Sequence, residues 1–523
     1  MIRPARAAAL VLLFGLLGCG TPDGSGIPPQ SPASLSGPAF DTSPLYPADT
    51  PDVVEIHVLH TNDLHGQVYP RKGKGGFDGL FAYVDDIRAE HPNVLLVDSG
   101  DIWAGTPEGN LTRGKLPAEL MNALGYDAAA LGNHEFDYGV DELVSFAAAL
   151  NFPLLAANIL PKTGDLGTKA SSAITPLAIV EKGGIKIGLV GLIAPSTPEL
   201  THKDAGDAFE FGDPTVGLQD AIGSLKAEGA DFVIVLSHLG VEDEKKLAAV
   251  APPEVVAILG GHSHTPLDPP YRDDQTGIIV MQSGSKTAGI DHLVLQVTKD
   301  GVKVTDGQLV SLGTSEWPKH PKVAEILGRY APTIDELMAR KVGTCPDALR
   351  RVRGKVRSST LGNWIADVMR TATGADAALH NKTGIRADLE AGDVAVRGLY
   401  EVAPFDNTIV VVELTGEQLM ALMDHAAGDG RTYLEASNMK VRYDLKAEPG
   451  KRVKELVIDG RVADPKQTYK VATNSFLASG GDGHVVFTRG KHTTDGKMLR
   501  DALIDHLAAG KGCKPDKSAR IAD

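Results

Sequence analysis

Five stretches of this sequence run from apolar residues into a glycine-bearing turn that carries histidine, aspartate or asparagine. They are Ile56-His-Val-Leu-His-Thr-Asn-Asp63-Leu-His65-Gly, Val94-Leu-Leu-Val-Asp-Ser-Gly-Asp101, the run Asp127 to Leu131 followed by Gly132-Asn133-His134-Glu135-Phe136-Asp137, Phe232-Val-Ile-Val-Leu-Ser-His238-Leu-Gly, and Val255-Val-Ala-Ile-Leu-Gly-Gly-His262-Ser-His264. Any one of them alone reads as a strand ending in a turn with a satisfied imidazole. Together they offer seven donors, Asp63, His65, Asp101, Asn133, His238, His262 and His264. Carboxylate and imidazole donors suit divalent first-row metals such as Zn, Mn or Fe. Two such ions roughly 3.5 to 4 Å apart can clamp a phosphoryl group and generate a hydroxide. Seven donors serve two ions if one carboxylate is shared, and Asp101 is the natural bridge.

Strands of an open sheet present ligand-binding side chains at their ends, so five such ends can converge on one site. Asp63 and His65 are two residues apart and can point the same way, as can His262 and His264. The apolar strands alternate with helical stretches at Leu116 to Leu124 and Val140 to Leu150. Hairpins are expected at Leu177 to Leu192, around Gly183-Gly184, and at Leu293 to Val304, around Asp300-Gly301. Val323 to Met338 has apolar residues at helical spacing, and residues 321–342 are expected to form a linker helix between domains at 53–320 and 343–523.

A chain of 523 residues, 42% hydrophobic, is too long for one ordinary core. Its formal net charge of −15 argues against binding nucleic-acid polymers, so an anionic substrate requires locally gathered cations. The densest basic cluster is Arg350, Arg351, Arg353, Lys355 and Arg357. On an extended strand the odd-numbered members share a face; Arg350, Arg351 and Lys355 are read as a solvated edge. Ser359 or Thr360 then caps a helix through Trp364 and Met369.

Arg3 and Arg6 precede an apolar stretch, Ala7 to Leu17, too short to span a bilayer, and Leu16-Leu17-Gly18-Cys19 follows. Residues 1–19 have the form of a secretory signal ending in an imperfect lipobox. From Thr21 to Pro51 there are eight prolines, and residues 20–52 read as a tether. The expectation is an exported protein, periplasmic or at the cell surface, held to a membrane by lipid at Cys19. Export permits a disulfide between the remaining cysteines, Cys345 and Cys513.

In order, the motifs Asp-x-His, Gly-Asp, Gly-Asn-His-Glu, an isolated strand-end His and Gly-His-x-His resemble those of the calcineurin-like metallophosphoesterases, in the 5'-nucleotidase and UDP-sugar hydrolase branch. The resemblance implies an α/β fold: a two-sheet α/β sandwich metallophosphoesterase domain, then a smaller mixed α/β substrate-binding domain. It implies one divalent ion on Asp63, His65, Asp101 and His264 and a second on Asp101, Asn133, His238 and His262. By the same analogy His134, oriented by Asp137, stabilises charge on the phosphoryl group in flight.

The resemblance extends through about Phe487. Arg353 and Arg357 stand at the family's Arg-x-x-x-Arg positions. Asn381-Lys382-Thr383-Gly-Ile-Arg386 looks like Asn-Gly-Gly-Gly-Ile-Arg, with Lys382 and Thr383 in place of glycines. Pro404-Phe405-Asp406-Asn407 looks like Pro-Phe-Gly-Asn, and Asn474 to Gly483 carries Phe476 and Asp482. Phe405 and Phe476 can sandwich a planar base, Asp482 can accept from ribose hydroxyls, and arginine forks suit phosphate. The expected activity is removal of phosphate from nucleotides by metal-hydroxide attack, after the second domain delivers the bound nucleoside to the first. Hydrolysis of UDP-sugars, cyclic nucleotides or sulfur esters on the same metal site is the alternative within enzymes. A non-catalytic surface binding protein is the alternative outside them, disfavoured because all seven donors are present.

Overall fold

The computed structural model describes residues 53–70, 73, 75–313, 317–405, 407–428 and 432–522. The expected signal, residues 1–19 with Cys19, and the tether, residues 20–52, lie outside them, as does Asp406. Among the described residues no helix is long and apolar enough to cross a membrane.

The first apolar run forms strand β1 (Val54–Thr61), which pairs in parallel with β2 (Val94–Asp98); β2 pairs in parallel with β3 (Ala128–Ala130). Every residue of β2 and β3 is buried, as strands covered on both faces require. On its other edge β1 pairs antiparallel with Gly289–Thr298, which turns at Asp300-Gly301 into Gly301–Ser311. In the second six-stranded sheet Phe232–His238 lies between Val255–Leu259 and Ile185–Ile193, parallel to both. Leu177–Lys182 closes onto Ile185–Ile193 through Gly183 and Gly184, whose φ angles of 60° and 81° suit glycine. Both expected hairpins are therefore present. The sheets meet where Gly191 lies against Leu155: a Cβ on Gly191 would stand 2.1 Å from the Leu155 carbonyl oxygen. Only glycine allows that approach, which brings the ends of the two sets of parallel strands together.

The helical expectations match helices at Lys115–Leu124, Val140–Ala147 and Pro321–Ala339. Val323, Ile326, Ile334 and Met338 of the last are buried in an apolar cluster shared by Phe77 and Trp103 before it and by Trp364, Leu399 and Leu503 after it. The helix is thus packed into the core along its apolar face. Strand Lys341–Cys345 follows it, and the mixed second part centres on a five-stranded sheet in which Ala377–Asn381 runs parallel to Thr468–Asn474 and antiparallel to Leu434–Ser437. The helix Thr360–Thr373 is capped as expected, Ser359 Oγ accepting from Gly362 N at 3.0 Å. The extended reading of residues 351–357 is corrected: they form no strand, and the chain bends at residues 354–357, with Gly354 at φ 63°. Alternation of charge with valine marked Val356 as buried but was too short to specify a ladder.

Cys345 and Cys513 are bonded, with Cα atoms 5.1 Å apart and a sequence separation of 168, and both are buried. By the chain-entropy model a closed loop of that length is worth about 5 kcal/mol. Cys345→Ser/Cys513→Ser should lower the melting temperature by several degrees. An unchanged thermal transition would show that the bridge contributes nothing.

Candidate active site

Asp63, His65, Asp101, Asn133, His238, His262 and His264 are brought together at adjoining strand ends. Asp63, His65, Asp101 and His264 each place a ligand atom within 4.8 Å of the others, and so do Asp101, His238 and His262. Asn133 Oδ1 joins the second group, 2.9 Å from His262 Nδ1 and 3.2 Å from His238 Nε2.

Local backbone puts them there at a cost. Asp63, His65, Asp101, His262 and His264 have φ of 51°, 48°, 57°, 72° and 54°, a left-handed region that non-glycine residues avoid and that is held only where surroundings over-determine it. Those surroundings are visible. Asp63 N donates to Gly100 O and His65 N to Asp101 O, each at 2.9 Å. Asn62 Nδ2 donates to Asp63 Oδ2 at 2.6 Å, and Asn62 Oδ1 accepts from Ser283 N at 2.8 Å. The buried Glu135 carboxylate accepts from the backbone N–H groups of Asp101, Ile102 and Gly132 at 2.9, 2.8 and 2.8 Å, clamping the second strand end to the third. Buried Glu244 accepts from Gly261 N at 3.1 Å and Ser237 Oγ at 3.1 Å, tying the fourth end to the fifth. Sequence reasoning assigned neither carboxylate. Glu135 stood inside a motif and offered a hint, whereas Glu244 lies on a helix with no local signal.

The donor chemistry fits cations. His65 Nδ1–H donates to Ala104 O at 2.8 Å and His238 Nδ1–H to Ser99 O at 2.6 Å, so each turns Nε2 inward; such outer hydrogen bonds orient metal-binding imidazoles. Burial holds His65 and His262 down at about 4, keeping both neutral with lone pairs exposed. Lone-pair atoms then face one another: His65 Nε2 is 3.0 Å from His264 Nε2, and His264 Nε2 is 3.1 Å from Asp63 Oδ1. Burial also opposes charge on His238, yet the Asp101 carboxylate, 3.2 Å from Nε2, pushes it up to about 10. Asp101 is buried too, but His238 and His134 hold it well below the usual carboxylate range. Acceptors converge on acceptors, and positive charge is favoured between them, which is what divalent ions satisfy.

His134 donates from its backbone N to Asp101 Oδ1 at 2.9 Å, and its Nδ1 meets Asp137 Oδ2 at 2.6 Å. Asp137 Oδ1 accepts from Thr201 Oγ1 at 3.1 Å. Burial raises the Asp137 carboxyl, with His134 opposing.

His65, Asp101, Asn133, His134, His262 and His264 line a cavity of about 590 Å³ that is also lined by Phe405, Asn407 and Phe476, within the size of small-molecule sites. Phe405 and Phe476 are 45% and 42% exposed, unusual for rings that could have packed inward. The two halves therefore share one cavity in this conformation. Arg386 stands over the Phe405 ring at 5.7 Å. Asn381 and Asp482 are linked to each other at 3.3 Å and do not line the cavity, and Arg353 and Arg357 are exposed on the bend.

Lys382 and Thr383 replace the family's glycines without left-handed backbone. Thr383 Oγ1 donates to Asp482 Oδ2 at 2.7 Å. The buried Lys382 Nζ donates to Arg357 O at 2.8 Å and to Glu435, and Glu435 accepts from Ser359 Oγ at 2.5 Å. Lys382→Met should destabilise the fold by about 3–5 kcal/mol, since removing one partner leaves Glu435 buried and unpaired. Lys382→Met/Glu435→Gln should recover much of it in denaturant titration; equal losses would refute the pairing.

Comparison with known proteins places both halves in described families. The Calcineurin-like phosphoesterase family matches residues 56–266 and the 5'-nucleotidase, C-terminal domain family residues 341–489. The chain is 31% identical to 5'-nucleotidase of Bos taurus, over 88% of this chain and 87% of that one. It is 30% identical to Protein UshA of Escherichia coli (strain K12), over 85% and 89%. Among solved structures, the 5'-nucleotidase precursor from Thermus thermophilus superposes with a TM-score of 0.62 at 29% identity, over 90% of this chain and 99% of that one.

Proposed function

We infer the reaction from the premise that this chain belongs to the 5'-nucleotidase family and is a metal-dependent phosphoric ester hydrolase. Its substrate is a nucleotide, from which it releases phosphate. The observation that carries this reading is the shared cavity, which is lined by two half-exposed phenylalanines as well as by the histidine cluster. A base stacked between the rings would hold its phosphate against the donors, since aromatic faces accept any base.

Asp63, His65, Asp101 and His264 would hold one divalent ion, and Asp101, Asn133, His238 and His262 the other. Such a pair supplies Lewis acidity to phosphoryl oxygens and makes water nucleophilic at neutral pH. The chain supplies the rest. His134, with Asp137 accepting at Nδ1, presents a donor to charge growing on phosphorus-bound oxygens. Phe405 and Phe476 bind the base, Asn407 lies beside them, and Arg386 approaches the Phe405 face. Asp482 with Asn381 is assigned to the ribose. Arg353 and Arg357, exposed cations, are assigned to draw in phosphate. The buried disulfide agrees with an oxidising compartment, and with it we assign export and anchoring at Cys19.

The decisive experiment is phosphate release after metal loading, across nucleoside mono-, di- and triphosphates, sugar nucleotides and cyclic nucleotides. Release from nucleotides is expected, and failure across the panel ends the reading. Phe476→Ala should weaken nucleotide binding by about 1–3 kcal/mol and leave a small phosphate ester almost unaffected. Equal loss on both substrates would make Phe476 a packing residue.

A further inference from the structure

We propose that Glu55, His57 and His91 form a third divalent-metal site, separate from the catalytic cluster, that takes a borderline ion such as zinc. Glu55 and His57 lie two apart on β1 and face the same side; His91 caps the helix Phe77–Glu90 just before β2. One ligand atom from each lies within 4.8 Å of the others. His57 Nε2 is 3.0 Å from Glu55 Oε1, His91 Nδ1 is 3.9 Å from the same oxygen, and the two rings stack at 3.6 Å. Two imidazoles and one carboxylate select zinc, copper or nickel over magnesium or calcium. Three protein ligands leave a fourth position for water. Glu55 and His91 side chains are 45% and 31% exposed, so an ion can enter from solvent.

Behind the site stands a relay that fits a metal ligand. His57 Nδ1 is 2.8 Å from His292 Nε2, and His292 Nδ1 is 2.7 Å from Tyr83 Oη. Without a metal the relay runs from Tyr83 O–H through His292 to His57, whose Nε2–H donates to Glu55. Every member can both donate and accept. The His–His–Tyr chain can therefore reverse, so that His57 donates from Nδ1 and frees the Nε2 lone pair, giving up only its hydrogen bond to Glu55, which the ion replaces. Outer partners that fix the tautomer in this way accompany metal-binding histidines. The site is at the start of β1 and the catalytic cluster beyond its end: Asp63 is six positions after His57, roughly 20 Å at strand rise. An ion here would pin the start of β1 to the turn before β2. Because it binds only the folded chain, it would stabilise by mass action.

The test is zinc content of the tag-free full chain, loaded with zinc, gel-filtered and measured by elemental analysis. Three ions per chain are expected in the wild type. His91→Ala and Glu55→Gln should each hold two, with phosphate release unchanged and a melting temperature that no longer rises when zinc is added to chain whose catalytic ions are already in place. Copper(II) at the site should show hyperfine coupling to two nitrogens, falling to one in His91→Ala. His91 is exposed enough that its loss should not disturb folding, and circular dichroism checks this. Asp101→Ala, which disrupts the catalytic cluster, should still retain the third ion. Equal zinc counts in the wild type and His91→Ala would overturn the proposal, as would two ions in the wild type.

Discussion

Asp101→Ala should lower phosphate release by ~10³-fold or more and strip metal from the enzyme, because Asp101 alone belongs to both groups of convergent donors. Its Oδ2 lies 3.2 Å from His238 Nε2 and 4.0 Å from His65 Nε2, one ring from each group. Charge stabilisation by a bound metal is worth several kcal/mol, and each 1.36 kcal/mol is about tenfold in rate. Asp101→Asn keeps the shape but removes the charge that holds His238 near 10, so it too should lose metal. Elemental analysis reads the metal, and circular dichroism separates a lost site from a lost fold. Two ions retained at the catalytic cluster of the alanine variant would refute the bridge.

The sequence made the strand ends legible because their chemistry is concentrated: apolar runs stop at glycine, and histidine or aspartate follows at once. The close approach of Gly191 to Leu155 was not legible, since nothing local marks a glycine inside a strand as the meeting point of two sheets. Nor was the strain, since Asp63 and His264 carry no sign that neighbours 200 residues away will hold them at positive φ. Glu135 and Glu244 escaped for a related reason: they serve backbone N–H groups that become neighbours only after folding. The second part shows the opposite fault. Alternating arginines suggested a strand at residues 351–357, but Gly354 turns the chain there. Lys382 and Thr383, departures from the family pattern, carry contacts of their own to Glu435 and Asp482. The periodicity that marked the expected linker helix at residues 321–342 is the same apolar stripe that packs Pro321–Ala339 into the core. Delivery of a nucleoside by a swinging domain is not needed to bring Phe476 and His134 to one cavity.

His134→Ala should retain both catalytic ions and lower kcat by ~10²-fold or more, the loss associated with a single donor aimed at developing charge. Its side chain is 18% exposed at the cavity wall, and its Nε2 is 3.9 Å from Asp101 Oδ2, beside the donors without completing either set. Asp137 holds Nδ1 at 2.6 Å and is itself fixed by Thr201, so the ring is aimed before substrate arrives and no reorientation is needed during reaction. An interaction made chiefly in the transition state lowers kcat and kcat/KM together, with little change in KM. Asp137→Asn should show the same signature with a smaller loss. In the double variant the two losses should not add, because Asp137 acts through His134. Loss of metal from His134→Ala would make the residue a structural support of the cluster, and a wild-type kcat would remove it from the chemistry. Additive losses in the double variant would mean that Asp137 serves the loop and Thr201 rather than the imidazole.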